Sequence, residues 1–161
     1  MAATLGHFVR RIVSGGQTGV DRGALDAAIA LGIEHGGWCP KGRLAEDGVI
    51  PPHYQVRETK SAEYPVRTEQ NVLDSDGTLI LYRGQMQGGT ELTYRLACKH
   101  RKPLLLVDLS APAEPERIRL WLAHHAIRTL NVAGPRESAA PGVAAQTAQL
   151  LRSVLRIPTR E

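Results

Sequence analysis

Between an apolar run at 8–14 and a helical pattern at 18–31 stands Gly15-Gly16-Gln17-Thr18-Gly19-Val20-Asp21, and this cluster of glycines restricts the fold more than any other feature. A strand that breaks into glycines and then enters a helix leaves backbone N–H groups unpaired around one point. The helix dipole adds partial positive charge there, so the point favours phosphate or another oxyanion. The arrangement recurs. Gly88-Gly89-Thr90-Glu91 and Ala133-Gly134-Pro135-Arg136-Glu137-Ser138 occupy comparable strand-to-helix positions.

Around these turns the chain alternates. Apolar runs at 33–37, 78–82, 103–107 and 127–132 read as further strands, and helical spacing appears at 91–101, 115–125 and 142–155. The first helix carries Val20, Leu25, Ala28, Ile29 and Leu31 at helical spacing, with Gly32 as its C′ stop. Such alternation predicts right-handed parallel βαβ units and hence an α/β, Rossmann-like three-layer sandwich with a mostly parallel sheet of about five or more strands. Ligands of such sheets bind at the carboxyl ends of the strands, near the topological switch point. All three glycine turns are therefore expected on one edge of one sheet.

The stretch 38–76 breaks the alternation. Pro40, Gly42, Gly48, Pro51 and Pro52 make its first half mostly loop, of a length that is usually functional or disordered. Pro65 fits N1 of a short helix reaching Leu73, with Arg67 and Asn71 one turn apart on the same face. No repeat of fixed period interrupts the chain, and a single domain over 1–161 is expected.

Composition narrows the function classes. A hydrophobic content of 42% over 161 residues supports one full core, and 22% charged residues is an ordinary globular share. No apolar run approaches a bilayer's thickness and no signal-peptide core is present, so a soluble cytoplasmic protein is expected, without membrane partners. Cys39 and Cys98 form no CxxC, and no histidine pairs with a cysteine or carboxylate at metal-ligand spacing, so no metal site is expected. The net charge of +4 is carried by dispersed arginines, with only 4% aromatic residues. That pattern suits a small anionic ligand better than nucleic acid.

The candidate site is assembled from these pieces. Gly15, Gly16, Gln17, Thr18 and Gly19 form the first turn, which lacks both the GxGxxG spacing and the Walker lysine; a purely geometric role for its glycines is the competing reading. Asp21 either serves the N-terminus of its helix or meets a donor such as a sugar hydroxyl or ring amino group. Trp38 either stacks on a flat ring or belongs to the core. Lys41, Gly42 and Arg43 follow the second strand, where a basic residue suits an extra phosphate unless it is a solvated loop charge. Gly88 and Gly89 offer N–H groups while Thr90 caps the helix, and Glu91 is a dipole partner or a candidate acid/base. Gly134, Arg136 and Ser138 close the set, Arg136 having fork geometry for an oxyanion.

Several blocks together carry a resemblance. Val13-Ser14-Gly15-Gly16-Gln17-Thr18-Gly19-Val20-Asp21-Arg22-Gly23, Gly37-Trp38-Cys39-Pro40-Lys41-Gly42-Arg43, Ala45-Glu46-Asp47-Gly48, Tyr64-Pro65-x-Arg67-Thr68-x-x-Asn71 and Asn131-Val132-Ala133-Gly134-Pro135-Arg136-Glu137-Ser138 resemble the molybdenum-cofactor carrier family, over roughly 10–155. That family belongs to the circularly permuted YpsA-like branch of the SLOG-type Rossmann folds, and is similar to the LOG, or "lysine decarboxylase-like", nucleotide hydrolases. The resemblance implies a cytoplasmic homo-oligomer that binds molybdenum cofactor (the phosphorylated molybdopterin) or an anion such as molybdate, and stores, protects or transfers it. Molybdoenzymes or cofactor-biosynthesis proteins are the partners it implies. One departure stands out. LOG-type enzymes carry a glutamate a few residues beyond a G-G-x-G-T turn, whereas here Glu91 follows Gly88-Gly89-Thr90 directly. The alternatives are therefore a LOG-like nucleoside 5′-monophosphate phosphoribohydrolase using Glu91, and a nucleotide-sensing module without chemistry.

Overall fold

The computed structural model describes residues 9–156. Along the chain come β1 (Arg11–Val13), α1 (Val20–Leu31) and β2 (Glu34–Gly36), then four two-residue strands, β3 (Trp38–Cys39), β4 (Leu44–Ala45), β5 (Gly48–Val49) and β6 (Arg57–Glu58). The rest is α2 (Tyr64–Leu73), β7 (Gly77–Tyr82), α3 (Gly88–Lys99), β8 (Leu104–Asp108), α4 (Pro115–His124), β9 (Thr129–Ala133) and α5 (Val143–Leu155). The five longer strands form one parallel sheet in the order β2-β1-β9-β7-β8. This is the expected α/β, Rossmann-like architecture. Phe8, the first residue of the strand expected at 8–14, and the termini of the expected domain lie outside the described residues.

The right-handed rule explains how the helices divide. Crossovers that run toward β2 carry α1 and α4 on one face, with α5 beside them; those that run toward β8 carry α2 and α3 on the other. The main core lies on the first face. Ile12, Leu79, Leu81, Leu130 and Val132 pack there against Val20 and Ala24 of α1, Ile118 and Leu122 of α4, and Val143 and Leu151 of α5. With a side-chain period of two, Thr78, Ile80 and Asn131 turn to the opposite face, beneath α2 and α3. Since β1 leads outward to β2 and β7 outward to β8, the switch point falls at β9, between them. No described helix is long and apolar enough to cross a membrane.

The segment expected to be mostly loop is ordered differently. β3 pairs with β6 in parallel, β4 and β5 form an antiparallel hairpin, and Leu25, Cys39, Ile50, Tyr54 and Val56 build a second small core. Two-residue strands show no period in a sequence. Their organiser is Arg43, whose guanidinium donates to the carbonyls of Ile50, Pro51, Tyr54 and Val56.

Candidate functional site

At the end of β1 the backbone turns sharply into α1, and four N–H groups of that turn are already paired. Gly16 N–H approaches Ser14 Oγ at 3.5 Å, Gln17 N–H donates to Asp21 Oδ2 at 3.2 Å, Thr18 N–H to Gln17 Oε1 at 3.0 Å and Val20 N–H to the Pro135 carbonyl at 3.1 Å. Gly19 is the N-cap, at φ +80°, and a Cβ there would fall 2.3 Å from the Pro135 oxygen. The positive end of α1 is thus largely occupied by the protein's own acceptors. Asp21 is not the N-cap; it reaches back to Gln17, upstream of the helix.

α2 brings a cation over the same turn. Pro65 stands in its first turn as expected, and Arg67 Nη1 donates to the Gly15 carbonyl at 2.7 Å and lies 3.7 Å from Asp21 Oδ2. A Cβ on Gly15 would overlap that guanidinium, so the glycine is needed for the close pass of Arg67. Burial dominates the Asp21 carboxyl and pushes its pKa up to about 6, against the opposing pull of Arg67 and of the Gln17 and Gly15 N–H groups. Asn71, one turn on, accepts the Trp38 N–H and donates to the Trp38 carbonyl, which fixes α2 to β3.

The second glycine pair is placed otherwise. α3 begins at Gly88 rather than at 91, so Gly88 and Gly89 are its first turn, Gln87 is the N-cap, and Thr90 makes no side-chain cap. Thr90 N–H donates to the Gln87 carbonyl, whereas the N–H groups of Gly88 and Gly89 have no acceptor among the described residues. A Cβ on either glycine would meet nothing within 4 Å. Free donors at a helix N-terminus are what an anion site requires.

The third turn follows β9. Gly134 lies against the Leu81 oxygen, which a Cβ would approach to 2.1 Å. Ser138 donates through N–H and Oγ to Glu46 at 3.3 and 2.9 Å, and Arg136 Nε stands 3.9 Å from Glu46 with its side chain largely exposed. Glu46 belongs to the turn of the β4–β5 hairpin, and its own N–H donates to Gln17 Oε1. The hairpin is therefore a strap between the first and third turns. The Arg22–Asp47 ion pair holds its other side.

The three turns and α2 enclose a cavity of about 750 Å³ at the carboxyl ends of β1, β9 and β7. Of the residues singled out in the sequence, Gly15, Gln17, Asp21, Arg67 and Asn71 line it from the β1 side. Gly88, Gly89, Thr90, Gly134 and Arg136 line it from the β7 and β9 side. The others lie elsewhere. Gly16 packs on Ile50, Thr18 accepts the Glu137 N–H, Gly19 abuts the third turn, and Ser138 is tied to Glu46. Trp38 donates its indole N–H to Asp74 at 2.6 Å, Lys41 and Gly42 sit in the loop after β3, and Arg43 is spent on carbonyls. Glu91 pairs with Arg95 one turn along α3. Sequence reasoning missed Tyr64, Thr68, Arg83, Thr93 and Asn131 as lining residues. Asn131 had a signal, being an amide inside an otherwise apolar strand. Among the described residues no three potential metal ligands cluster.

Comparison with known proteins agrees with this fold. The family model described as "Circularly permutated YpsA SLOG family" matches residues 12–155. A solved structure from Syntrophus aciditrophicus, named a "putative molybdenum carrier protein", is 46% identical, with a TM-score of 0.87 over 92% of this chain and 96% of that one. No curated protein matches. With the family model spanning nearly the whole chain and a relative of the same fold at that identity, the chain belongs to the circularly permutated YpsA SLOG family.

Proposed function

We propose that the cavity binds molybdenum cofactor or a related phosphorylated or oxyanionic ligand, molybdate included, and that the protein stores, protects or transfers it as a homo-oligomer in the cytoplasm. The observation that carries this reading is the α3 N-terminus, where Gly88 and Gly89 line the cavity and their N–H groups have no acceptor among the described residues. Arg136, with most of its side chain exposed, lines the same cavity and supplies a charge that can fork onto phosphate. The first turn contributes differently from its appearance in the sequence: it holds Asp21 and Arg67 in place. The name of the Syntrophus relative supports the ligand class. A hydrolase using Glu91 has less support, because Glu91 pairs with Arg95 and is not among the lining residues.

The test is Gly89→Val. A side chain at this position meets no protein atom within 4 Å, so the fold keeps its stability while the anion's approach to the helix is blocked. Binding is measured with inorganic phosphate, molybdate and molybdenum cofactor released from a molybdoenzyme. The wild type should gain about 2.7 kcal/mol at 100-fold excess over Kd, and Gly89→Val and Arg136→Ala should each weaken binding at least about 10-fold, which is 1.4 kcal/mol. Release of free base from nucleoside monophosphates, abolished by Glu91→Gln, overturns the reading in favour of the hydrolase.

A further inference from the structure

A second pocket, of about 520 Å³, is walled by edge strand β2 and by the segment 52–57 that leads into β6, and it shares no lining residue with the ligand cavity. Its charge is lopsided. Arg11, Arg43 and Arg57 line it against the single carboxylate of Glu34. Arg43 gives its N–H groups to neutral carbonyls, and Arg57 forms no ion pair among the described residues. Neither charge is cancelled within the protein.

Glu34 answers Arg11 alone, and incompletely. Its Oε1 stands 3.5 Å from Arg11 Nε, outside hydrogen-bond geometry, and its side chain is 72% exposed. Arg11 Nε is therefore a buried donor without an acceptor, which is rare and costly. The group is also held in place. A Cβ on Gly36 would fall 2.5 Å from Arg11 Nη2, so the bare glycine lets the guanidinium lie against β2. His35, also in the wall, accepts the Gln55 N–H on Nε2 at 3.1 Å, which leaves its own ring proton on Nδ1 as a further donor.

We propose that this pocket is a second anion site, separate from the cavity, and that it takes a small dicarboxylate through Arg11 and Arg57. Three guanidinium groups against one carboxylate leave two positive charges, which a dianion balances. Carboxylates match the planar guanidinium fork, and two of them on a short chain use a volume that lies within the range of small-molecule sites. Arg43, spent on carbonyls, contributes charge without contacts.

The test is an amide-resolved NMR titration of the whole protein with succinate, acetate and inorganic phosphate. The His35, Gln55 and Arg57 amides report this pocket, while those of Gly88 and Gly89 report the cavity. Succinate should shift the first set with a Kd of about 1 mM or tighter. Acetate, with one carboxylate, should bind there at least about 10-fold more weakly. Arg57→Gln changes an exposed side chain and should weaken succinate about 10-fold, while the phosphate response at Gly88 and Gly89 stays as in wild type. Arg11→Lys keeps the charge, loses the fork and should weaken succinate about 3-fold. Phosphate that binds this pocket more tightly than succinate overturns the dicarboxylate assignment. No shift at His35, Gln55 and Arg57 with any of the three probes, or an undiminished succinate response in Arg57→Gln, overturns the site.

Discussion

Asp21 Oδ2 stands 3.7 Å from Arg67 Nη1, with 9% and 12% of the two side chains exposed, and still the Asp21 carboxyl is harder to ionise than in water. Desolvation outweighs the ion pair. The Arg67 guanidinium is shared with the Gly15 carbonyl, and the Gln17 and Gly15 N–H groups do not offset the burial. An incompletely compensated buried charge is costly, and carboxyls perturbed in this way cluster at functional sites.

The cost shows in stability against pH. A carboxyl whose pKa rises from 3.8 unfolded to about 6 folded holds its proton more tightly in the native state. It favours folding below pH 4, and that contribution is lost as pH rises through about 6, amounting to about 3 kcal/mol at neutral pH. Asp21→Asn removes this dependence. Thermal unfolding without ligand should give the variant a Tm about 6–12 °C above wild type near pH 7.5, and no advantage near pH 4. A variant less stable than wild type at neutral pH shows that the Arg67 pairing dominates instead.

Arg43 separates structure from binding. Its guanidinium donates to four carbonyls in the second small core and lies outside the cavity. A lysine ammonium cannot reproduce that planar fork. Arg43→Lys should cost about 2–4 kcal/mol, and limited proteolysis should cut first within 41–58. Phosphate affinity, measured well below the variant's Tm, should match wild type. A loss of affinity with unchanged stability would assign Arg43 to the ligand after all.

The contrast between Arg43 and Gly89 shows how far the sequence can be read. Periodicity revealed every long strand and helix, and the alternation revealed the sheet, because each long element buries a face and must repeat its apolar residues at the matching spacing. Strands of two residues carry no such period, so the 38–58 region looked like loop although one arginine orders it. Glycines pose a different difficulty. Gly15, Gly19 and Gly134 are small because another part of the chain passes close by, whereas Gly88 and Gly89 face open space. Nothing in a local pattern distinguishes those two reasons; only the packing partner does. Asn131 was legible as an amide in an apolar strand, but its hydrogen bond to Thr78, more than fifty positions away, was not.

The strap makes a last prediction about the anion pole. Glu46 accepts from Ser138, whose hydrogen bond is the main cause of its lowered pKa, and it remains ionised 3.9 Å from Arg136 Nε. Arg136 therefore answers to two anions, one on the strap and one in the cavity. Glu46→Gln keeps an acceptor for Ser138 and a shape close to the original, and removes only the charge that competes for Arg136. Phosphate affinity should rise about 3-fold near 0.02 M salt, and the gain should shrink near 0.5 M, where screening already weakens the Glu46–Arg136 attraction. Arg136→Ala should erase the gain, because the two changes act through one guanidinium and cannot be additive. An equal gain at both salt concentrations, or one that survives in the double variant, would mean that the strap acts by moving the first turn through its hydrogen bond to Gln17. Charge at Arg136 would then not be the link.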